Sequence, residues 1–209
     1  MTRPVRLAVL LGAAVLAAGS LAVAARADGD PASDFLLTQQ IFVPFDVKVP
    51  AEKQRRLAGV VAAANRKGFQ IRVALIASPY DLGSVTPLWG KPRPYARFLG
   101  EELRYVYKQR LLIVMPSGFG FHRVGHSSKA EYAVLARIPV PGGRDGLVDA
   151  ATTAVQRLAA AGGVDVAGAA PAATSSRTRD RLVILAAALA ALLLALGARH
   201  LLRRRSRRP

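Results

Sequence analysis

The chain contains no cysteine among its 209 residues. A disulfide framework, thiol catalysis and thiolate metal sites are therefore excluded together. Stability has to come from an apolar core, and residues 28–163 are long enough for one ordinary domain, which at about 150 residues buries nearly 70% of its unfolded surface. We therefore expect a single domain in the middle of the chain.

Carboxylates are scarce, at 13 residues against 30 basic ones. Glu101 and Glu102 form an adjacent pair, but successive helical residues point about 100° apart, so they do not form a catalytic dyad. His122 and His126 have the spacing of two metal ligands on a helix, yet glycines surround them and no carboxylate lies between Glu102 and Glu131. We predict exposed loop histidines, no catalytic residue, no metal and no cofactor.

Two long apolar segments lie at the ends of the chain. The first, within residues 1–27, follows Arg3 and Arg6 and ends at Ala25-Arg26-Ala27, which is typical of a secretory signal cleaved after Ala27. Its apolar part is longer than average, so an uncleaved anchor is the alternative. Either reading predicts that the middle of the chain is exported.

The second apolar segment, Leu182–Ala198, has 17 residues without charge and would span about 26 Å as a helix. Leu201 and Leu202 can extend it, so we predict a transmembrane helix over 182–202 and a cytoplasmic tail over 203–209. The alternative is a buried Ala/Leu-rich core helix. The arginines expected to flank the membrane predict a single-pass plasma-membrane protein with an extracytoplasmic domain; they are Arg199, Arg203, Arg204 and Arg205.

The net charge of +17 comes largely from the two ends of the chain. Residues 177–209 hold nine arginines and one acid, whereas residues 28–176 hold 18 basic and 12 acidic residues. Most of the positive charge therefore lies in the terminal segments that would set the orientation of the protein in a membrane. We predict no nucleic-acid partner. A modest positive charge on the exported part is compatible with an anionic envelope polymer or lipid surface, and also with no partner.

The pattern of the exported part is that of a small α/β sandwich with a mixed, partly parallel sheet. Asp28–Ser33 is expected to be a polar leader, and Tyr80–Arg93 a loop. The strands are predicted over 40–43, 70–77 and 111–115, with a glycine-bearing loop or edge hairpin over 117–125. The helices are predicted over 50–68, from Pro94 through Val106, over 129–137 and over 145–161, before an Ala/Gly/Ser-rich linker and basic flank over 164–181. The first two helices have apolar stripes that are expected to face the core: Leu57, Val60, Val61 and Ala64 in the first, and Tyr95, Phe98, Leu99, Leu103 and Val106 in the second.

Two places in this pattern could bind a ligand or partner. Ser117–Phe121 follows an apolar strand, where α/β folds bind ligands, but it matches neither a nucleophile elbow nor a phosphate loop. A turn into an edge strand is the commoner reading. The candidate partner surface combines aromatic and basic residues, although Trp89 could instead plug the sheet edge; its members are Tyr80, Trp89, Lys91 and Arg93.

The order of elements over Phe42–Gly125, with Val124-Gly125 in the glycine-bearing segment and an anchor at the C-terminus, resembles the TPM-domain family. The resemblance implies a membrane-associated module that assists the assembly or repair of membrane complexes. Some members of that family are phosphatases or bind divalent cations through clustered acids. Here only Asp46 could correspond to the family's Asp after the first strand, and Gln109-Arg110 replaces its Asn-Gly, which puts both activities in doubt.

Three functional hypotheses follow. The first is a non-enzymatic interaction or assembly module of the cell envelope that binds a membrane or envelope protein. The second is a phosphatase-like hydrolase that uses Asp46 and Asp81, because both lie at strand or loop ends. The third is a binder of anionic envelope polymers through Lys91, Arg93 and Arg97.

Overall fold

The computed structural model describes residues 29–44 and 49–172. The predicted signal (1–27), transmembrane helix (182–202) and Arg-rich tail (203–209) lie outside these residues, and so does Asp46. Within the described part of the chain, no helix is long and apolar enough to cross a membrane.

A four-stranded sheet in the order β1-β2-β3-β4 lies at the centre of the domain. β1, β2 and β3 are parallel, and β4 runs antiparallel to β3. The predicted α/β class with a mixed, partly parallel sheet is therefore confirmed. The strands are β1 (Ile41–Phe42), β2 (Ile71–Leu75), β3 (Arg110–Met115) and β4 (Gly118–His122).

Helices cover both faces of the sheet, which explains why β3 is apolar along its whole length. The helices are α1 (Pro31–Leu36), α2 (Ala51–Arg66), α3 (Pro92–Glu102), α4 (Lys129–Leu135) and α5 (Arg144–Ala161), and a 3₁₀ segment covers Pro79–Leu88. Leu112 and Val114 pack with α2 and α5, whereas Leu111, Ile113 and Met115 pack with α1 and α3.

The predicted inward stripe of α2 is confirmed, because Leu57, Val60, Val61 and Ala64 are all buried. Each of the leucine and valine side chains contributes roughly 1.5 to 3 kcal/mol when it leaves water. Gly68 follows the helix with a φ of 87°, a left-handed conformation that glycine adopts without a steric cost. The chain can therefore turn sharply from α2 into β2.

Three segments differ from the sequence prediction. The expected loop over Tyr80–Arg93 contains the 3₁₀ segment, and α3 begins at Pro92 rather than Pro94. The helix ends at Glu102, so Val106 is 61% exposed instead of buried. The prediction of a polar leader over Asp28–Ser33 is wrong at Asp30, because this residue caps α1. Its carboxylate accepts a hydrogen bond from the N–H of Ala32 at 3.1 Å.

Residues 164–172 form a segment without helix or strand that contacts α2, and we call it the C-terminal strap. The Lys67 ammonium donates to the carbonyl of Asp165, and the N–H of Ala172 donates to the carbonyl of Arg55. Val166 of the strap is buried in the same core cluster as Phe69 and the inner residues of α5. The first half of the predicted linker therefore packs on the domain and runs toward the beginning of α2.

The sheet has two distinct ends. We call the end at which β1, β2 and β3 finish the carboxyl edge, and the opposite end the amino edge. Gly29 lies against Gly83 of the 3₁₀ segment that follows β2, and the strap reaches Ala172 beside the first half of α2. Both ends of the described domain therefore lie toward the carboxyl edge.

Candidate partner-binding groove

A groove of about 620 Å³ opens at the carboxyl edge. Its walls are the beginning of α3, the turn between β3 and β4, α4 and the segment after α4. Basic, aromatic and aliphatic side chains share its lining; those used below are Lys91, Arg93, Ser117, Phe119, Tyr132 and Ile138.

A glycine in β4 sets one wall of the groove. Any side chain at Gly120 would overlap the carbonyl of Pro92 and the methyl group of Ala96. Only a glycine therefore lets the first turn of α3 lie directly on β4. This close approach places Lys91 and Arg93 beside the β3–β4 turn.

Arg93 is held by an aromatic ring of α4. Its guanidinium lies 4.3 Å from the ring centre of Tyr132. The Tyr132 hydroxyl accepts from the N–H of Phe121 at 2.9 Å and donates to the Phe121 carbonyl at 3.0 Å. The ring is thus fixed to β4, and the stacked cation is preorganised at the rim of the groove.

The groove is electropositive. Lys91 and Arg93 both line it, and no carboxylate belongs to its lining among the described residues. Pro92 and Pro94 lack N–H groups, so the beginning of α3 supplies few main-chain donors and the side chains carry most of the positive potential. A cation pair beside an aromatic and aliphatic floor suits a partner that presents a carboxylate next to an apolar group.

The structure separates the four predicted partner residues into two groups. Lys91 and Arg93 line the groove, whereas Tyr80 and Trp89 do not. Trp89 is half-buried and packs against the core on the α3 side, while Tyr80 is 85% exposed. Arg97 is exposed one helical turn after Arg93 and lies outside the lining.

Sequence reasoning missed Tyr132 as a groove residue. It lies 39 positions after Arg93, and no local pattern links the two residues. The preferred reading of Ser117–Phe121 is confirmed, because Pro116 and Ser117 form the turn into β4, the edge strand of the sheet. The same turn also lines the groove, so this segment belongs to the candidate site.

The two histidines do not meet. His122 ends β4 and packs against Gly100 of α3, where a side chain would overlap the imidazole. The prediction of an exposed loop histidine is therefore wrong for His122, whose pKa is lowered chiefly by burial. His126 lies in an exposed turn as predicted. No cluster of three potential metal ligands occurs within residues 29–44 and 49–172.

Asp81 serves the turn that contains it. One carboxylate oxygen accepts from the N–H groups of Ala77 and Ser78, at 2.8 and 2.7 Å, and from the Ser78 hydroxyl at 3.2 Å. These bonds form a capping box at the start of the 3₁₀ segment. The geometry gives Asp81 a structural task and does not place it in the groove lining.

Comparison with known proteins adds no relative. No protein-family model, no curated protein and no solved structure matches the chain.

Proposed function

We propose that this chain is a membrane-anchored, extracytoplasmic interaction module of the cell envelope that binds an acidic segment of a membrane or envelope protein in the carboxyl-edge groove. The observation that carries the proposal is a preformed groove of about 620 Å³ with two cations and no carboxylate in its described lining. The proposed membrane location is supported by the two terminal apolar segments and by the arginines that follow the second one.

The positions of the first and last residues of the described domain support this proposal. Gly29 and the strap's last residue, Ala172, both lie toward the carboxyl edge, so a membrane anchor following the strap would bring the groove near the membrane. Only nine residues, 173–181, separate the strap from the predicted transmembrane helix. A groove in that position suits a partner in the same membrane.

The resemblance to the TPM-domain family belongs to the same proposal. Its support is the alternation of strands and helices followed by the antiparallel β4. The family's association with membrane complexes agrees with a partner that is itself a membrane protein. The hydrolase hypothesis gains no support from Asp81, whose carboxylate is engaged by its own turn.

The proposal is tested by charge reversal in the intact protein. Full-length tagged protein carrying Lys91→Glu and Arg93→Glu is crosslinked in cells and purified beside the wild type. The control variant carries Arg56→Glu and Arg137→Glu, which make the same charge change at exposed positions outside the groove.

We expect a partner that is recovered with the wild type and the control variant and is lost with the groove variant. Deletion of the domain with the anchor retained should also remove it. Equal recovery with both charge-reversed variants would exclude the groove as the binding site. Turnover of a defined substrate by the purified protein would argue against a module that only binds.

A further inference from the structure

One side of β4 has no neighbouring strand in the described part of the chain, because β4 is the last strand of the sheet. In an antiparallel pair, alternate residues exchange hydrogen bonds with the partner strand, and the residues between them point their main-chain groups the other way. Phe121 points away from β3, because its N–H and its carbonyl both bond to the Tyr132 hydroxyl of α4. Phe119 lies two residues earlier, so its N–H and carbonyl point to the same outer side of β4.

The main chain of Phe119 is left for another partner. The Tyr132 hydroxyl covers the outer side of β4 at Phe121, and no hydrogen bond from outside the sheet reaches Phe119 within residues 29–44 and 49–172. Main-chain groups that are shut away from water are almost always bonded, whereas Phe119 lines the groove. The groove therefore presents one main-chain donor and one acceptor at the place where a further strand would pair with β4.

The two walls of the groove belong to opposite faces of the sheet. α3 packs on one face, so the main chain of Lys91 and Arg93 approaches the groove from that side. Leu135 and Ile138 belong to the core of the other face, together with the ring of Phe119. The outer side of β4 therefore lies between a basic wall and an aliphatic wall.

The side of the basic wall has room for a partner's side chain. Gly118 and Gly120 are paired with residues of β3 that pack under α3, so both glycines face that wall. A Cβ at Gly120 would overlap the Pro92 carbonyl, whereas a Cβ at Gly118 would meet no atom within 4 Å. The open space therefore lies beside Gly118, in the same groove as Lys91 and Arg93.

An extended segment matches these two walls. Its successive side chains point to opposite faces. A segment paired with Phe119 would direct one side chain toward Lys91 and Arg93 and the next toward the aliphatic wall. A carboxylate suits the first wall, because it accepts charge-assisted hydrogen bonds, and an aliphatic group suits the second. The matching sequence therefore alternates acidic and aliphatic residues.

We propose that the groove binds its acidic partner as an extended segment that pairs with the outer side of β4 at Phe119 and alternates acidic with aliphatic residues. This inference rests on the proposed function and adds the conformation and the sequence pattern of the partner. Main-chain pairing supplies affinity, and the alternation supplies specificity. A second copy of this chain is a poorer occupant, because pairing of β4 with β4 would bring the cations of two grooves together.

The first test uses full-length protein in detergent and two labelled peptides of the same composition, with affinity read by fluorescence anisotropy. The alternating peptide is Thr-Val-Glu-Val-Thr. The control peptide, Val-Thr-Glu-Thr-Val, moves both valines to the face that carries the glutamate. It should bind at least about tenfold more weakly, because no valine then reaches the aliphatic wall. Lys91→Glu with Arg93→Glu should abolish binding of the alternating peptide.

The second test examines the main chain and uses the wild-type protein, so it does not depend on the folding of a variant. With the alternating peptide bound, the N–H of Phe119 should gain at least about tenfold protection against hydrogen exchange. The N–H of Phe121 is the internal control, because it already donates to Tyr132. N-methylation of one peptide amide should weaken binding about tenfold, and N-methylation of the next amide, which points away from β4, less than about threefold.

Equal affinity of the two peptides, unchanged protection of Phe119, or no binding of the alternating peptide would each overturn the extended binding mode. Retained peptide binding after reversal of Lys91 and Arg93 would place the peptide outside the groove and would overturn it as well. The proposed function is judged separately, by the partner recovered from cells. A partner that is lost with the groove variant, together with two peptides of equal affinity, would keep the groove and exclude the strand pairing.

Discussion

The Tyr95 hydroxyl lies 2.8 and 2.9 Å from the two carboxylate oxygens of Asp30 and donates to this carboxylate. Both residues are buried, and they join the beginning of α1 to the first turn of α3. Burial raises the pKa of Asp30 to about 6, although the Tyr95 hydroxyl opposes the rise. The first described residues are therefore held to the core by a carboxyl group that is costly to ionise.

This pair predicts a pH-dependent stability. Because the folded protein binds the Asp30 proton more tightly than the unfolded chain does, its contribution is greatest below about pH 4 and is lost as pH rises to about 6. Two pKa units correspond to roughly 3 kcal/mol at most. Asp30→Asn should therefore shift the free energy of unfolding in favour of the variant by about 1 to 3 kcal/mol between pH 4 and pH 7.

Denaturant unfolding of the full-length protein in detergent measures this shift, and Trp89, the single tryptophan, is a natural fluorescence probe. Asp34→Asn changes an exposed carboxylate on the same helix and is the matched control. A difference between Asp30→Asn and the wild type that stays constant from pH 4 to pH 7 would contradict a costly buried carboxylate.

The contact between the strap and α2 depends on the absence of a side chain at Gly59. A side chain at this position of α2 would overlap the carbonyl of Ala170. Gly59→Ala should therefore displace the strap, although alanine favours the helix itself by about 1 kcal/mol. We expect the N–H of Ala172 to lose its protection against hydrogen exchange while the amides of α2 keep theirs.

Gly168→Ala is the control for the strap, because a side chain there meets no atom within 4 Å. Its exchange pattern should match that of the wild type. Unchanged protection of Ala172 in Gly59→Ala would show that the strap can move aside without detaching, which would weaken the inferred path toward the carboxyl edge.

Substitution of Gly120 should lower the stability of the domain. Gly120→Ala places a methyl group against the Pro92 carbonyl, which is main chain and cannot rotate away. Overpacking of this kind costs typically 1 to 3 kcal/mol. The melting temperature should fall, whereas Gly142→Ala, in an open position, should leave it unchanged. An unaffected Gly120→Ala variant would mean that α3 lies less tightly on β4 than described.

Substitution of Asp81 should affect the stability of the domain and not a catalytic activity. Asp81→Ala removes the acceptor used by Ala77 and Ser78 and should lower the free energy of unfolding by about 1 to 2 kcal/mol, the usual value of a lost cap. Thermal unfolding measures the loss. A phosphatase activity that is present in the wild type and abolished in a fully stable Asp81→Ala variant would instead favour the hydrolase hypothesis.

The spacing of apolar residues correctly predicted the elements whose buried face is determined by neighbouring positions in the sequence. The stripe of α2 from Leu57 to Ala64 and the apolar run of β3 both face the core as expected. The pattern failed at Val106, because α3 ends at Glu102 and Tyr107 packs inward instead. Helix length was decided by the following turn, which the apolar period does not encode.

The remaining features depend on contacts between distant parts of the chain. The strap is rich in alanine and has no apolar periodicity from which its packing could be predicted. It can lie close to α2 because Gly59 has no side chain. The pairing of Arg93 with Tyr132 likewise arises only when α4 is placed beside α3. Asp30 is different, since an Asp directly before Pro31 is a local signal that is typical of the start of a helix.

The most direct test of the proposed function is site-specific photocrosslinking in intact cells. A photoreactive residue replaces Ser117 in the groove turn, and Gly142, exposed outside the groove lining, is the control position. The account predicts that position 117 crosslinks a discrete envelope or membrane protein, that position 142 does not, and that Lys91→Glu with Arg93→Glu abolishes the product. Identical products from both positions, or a product that survives the charge reversal, would contradict a partner-binding groove at the carboxyl edge.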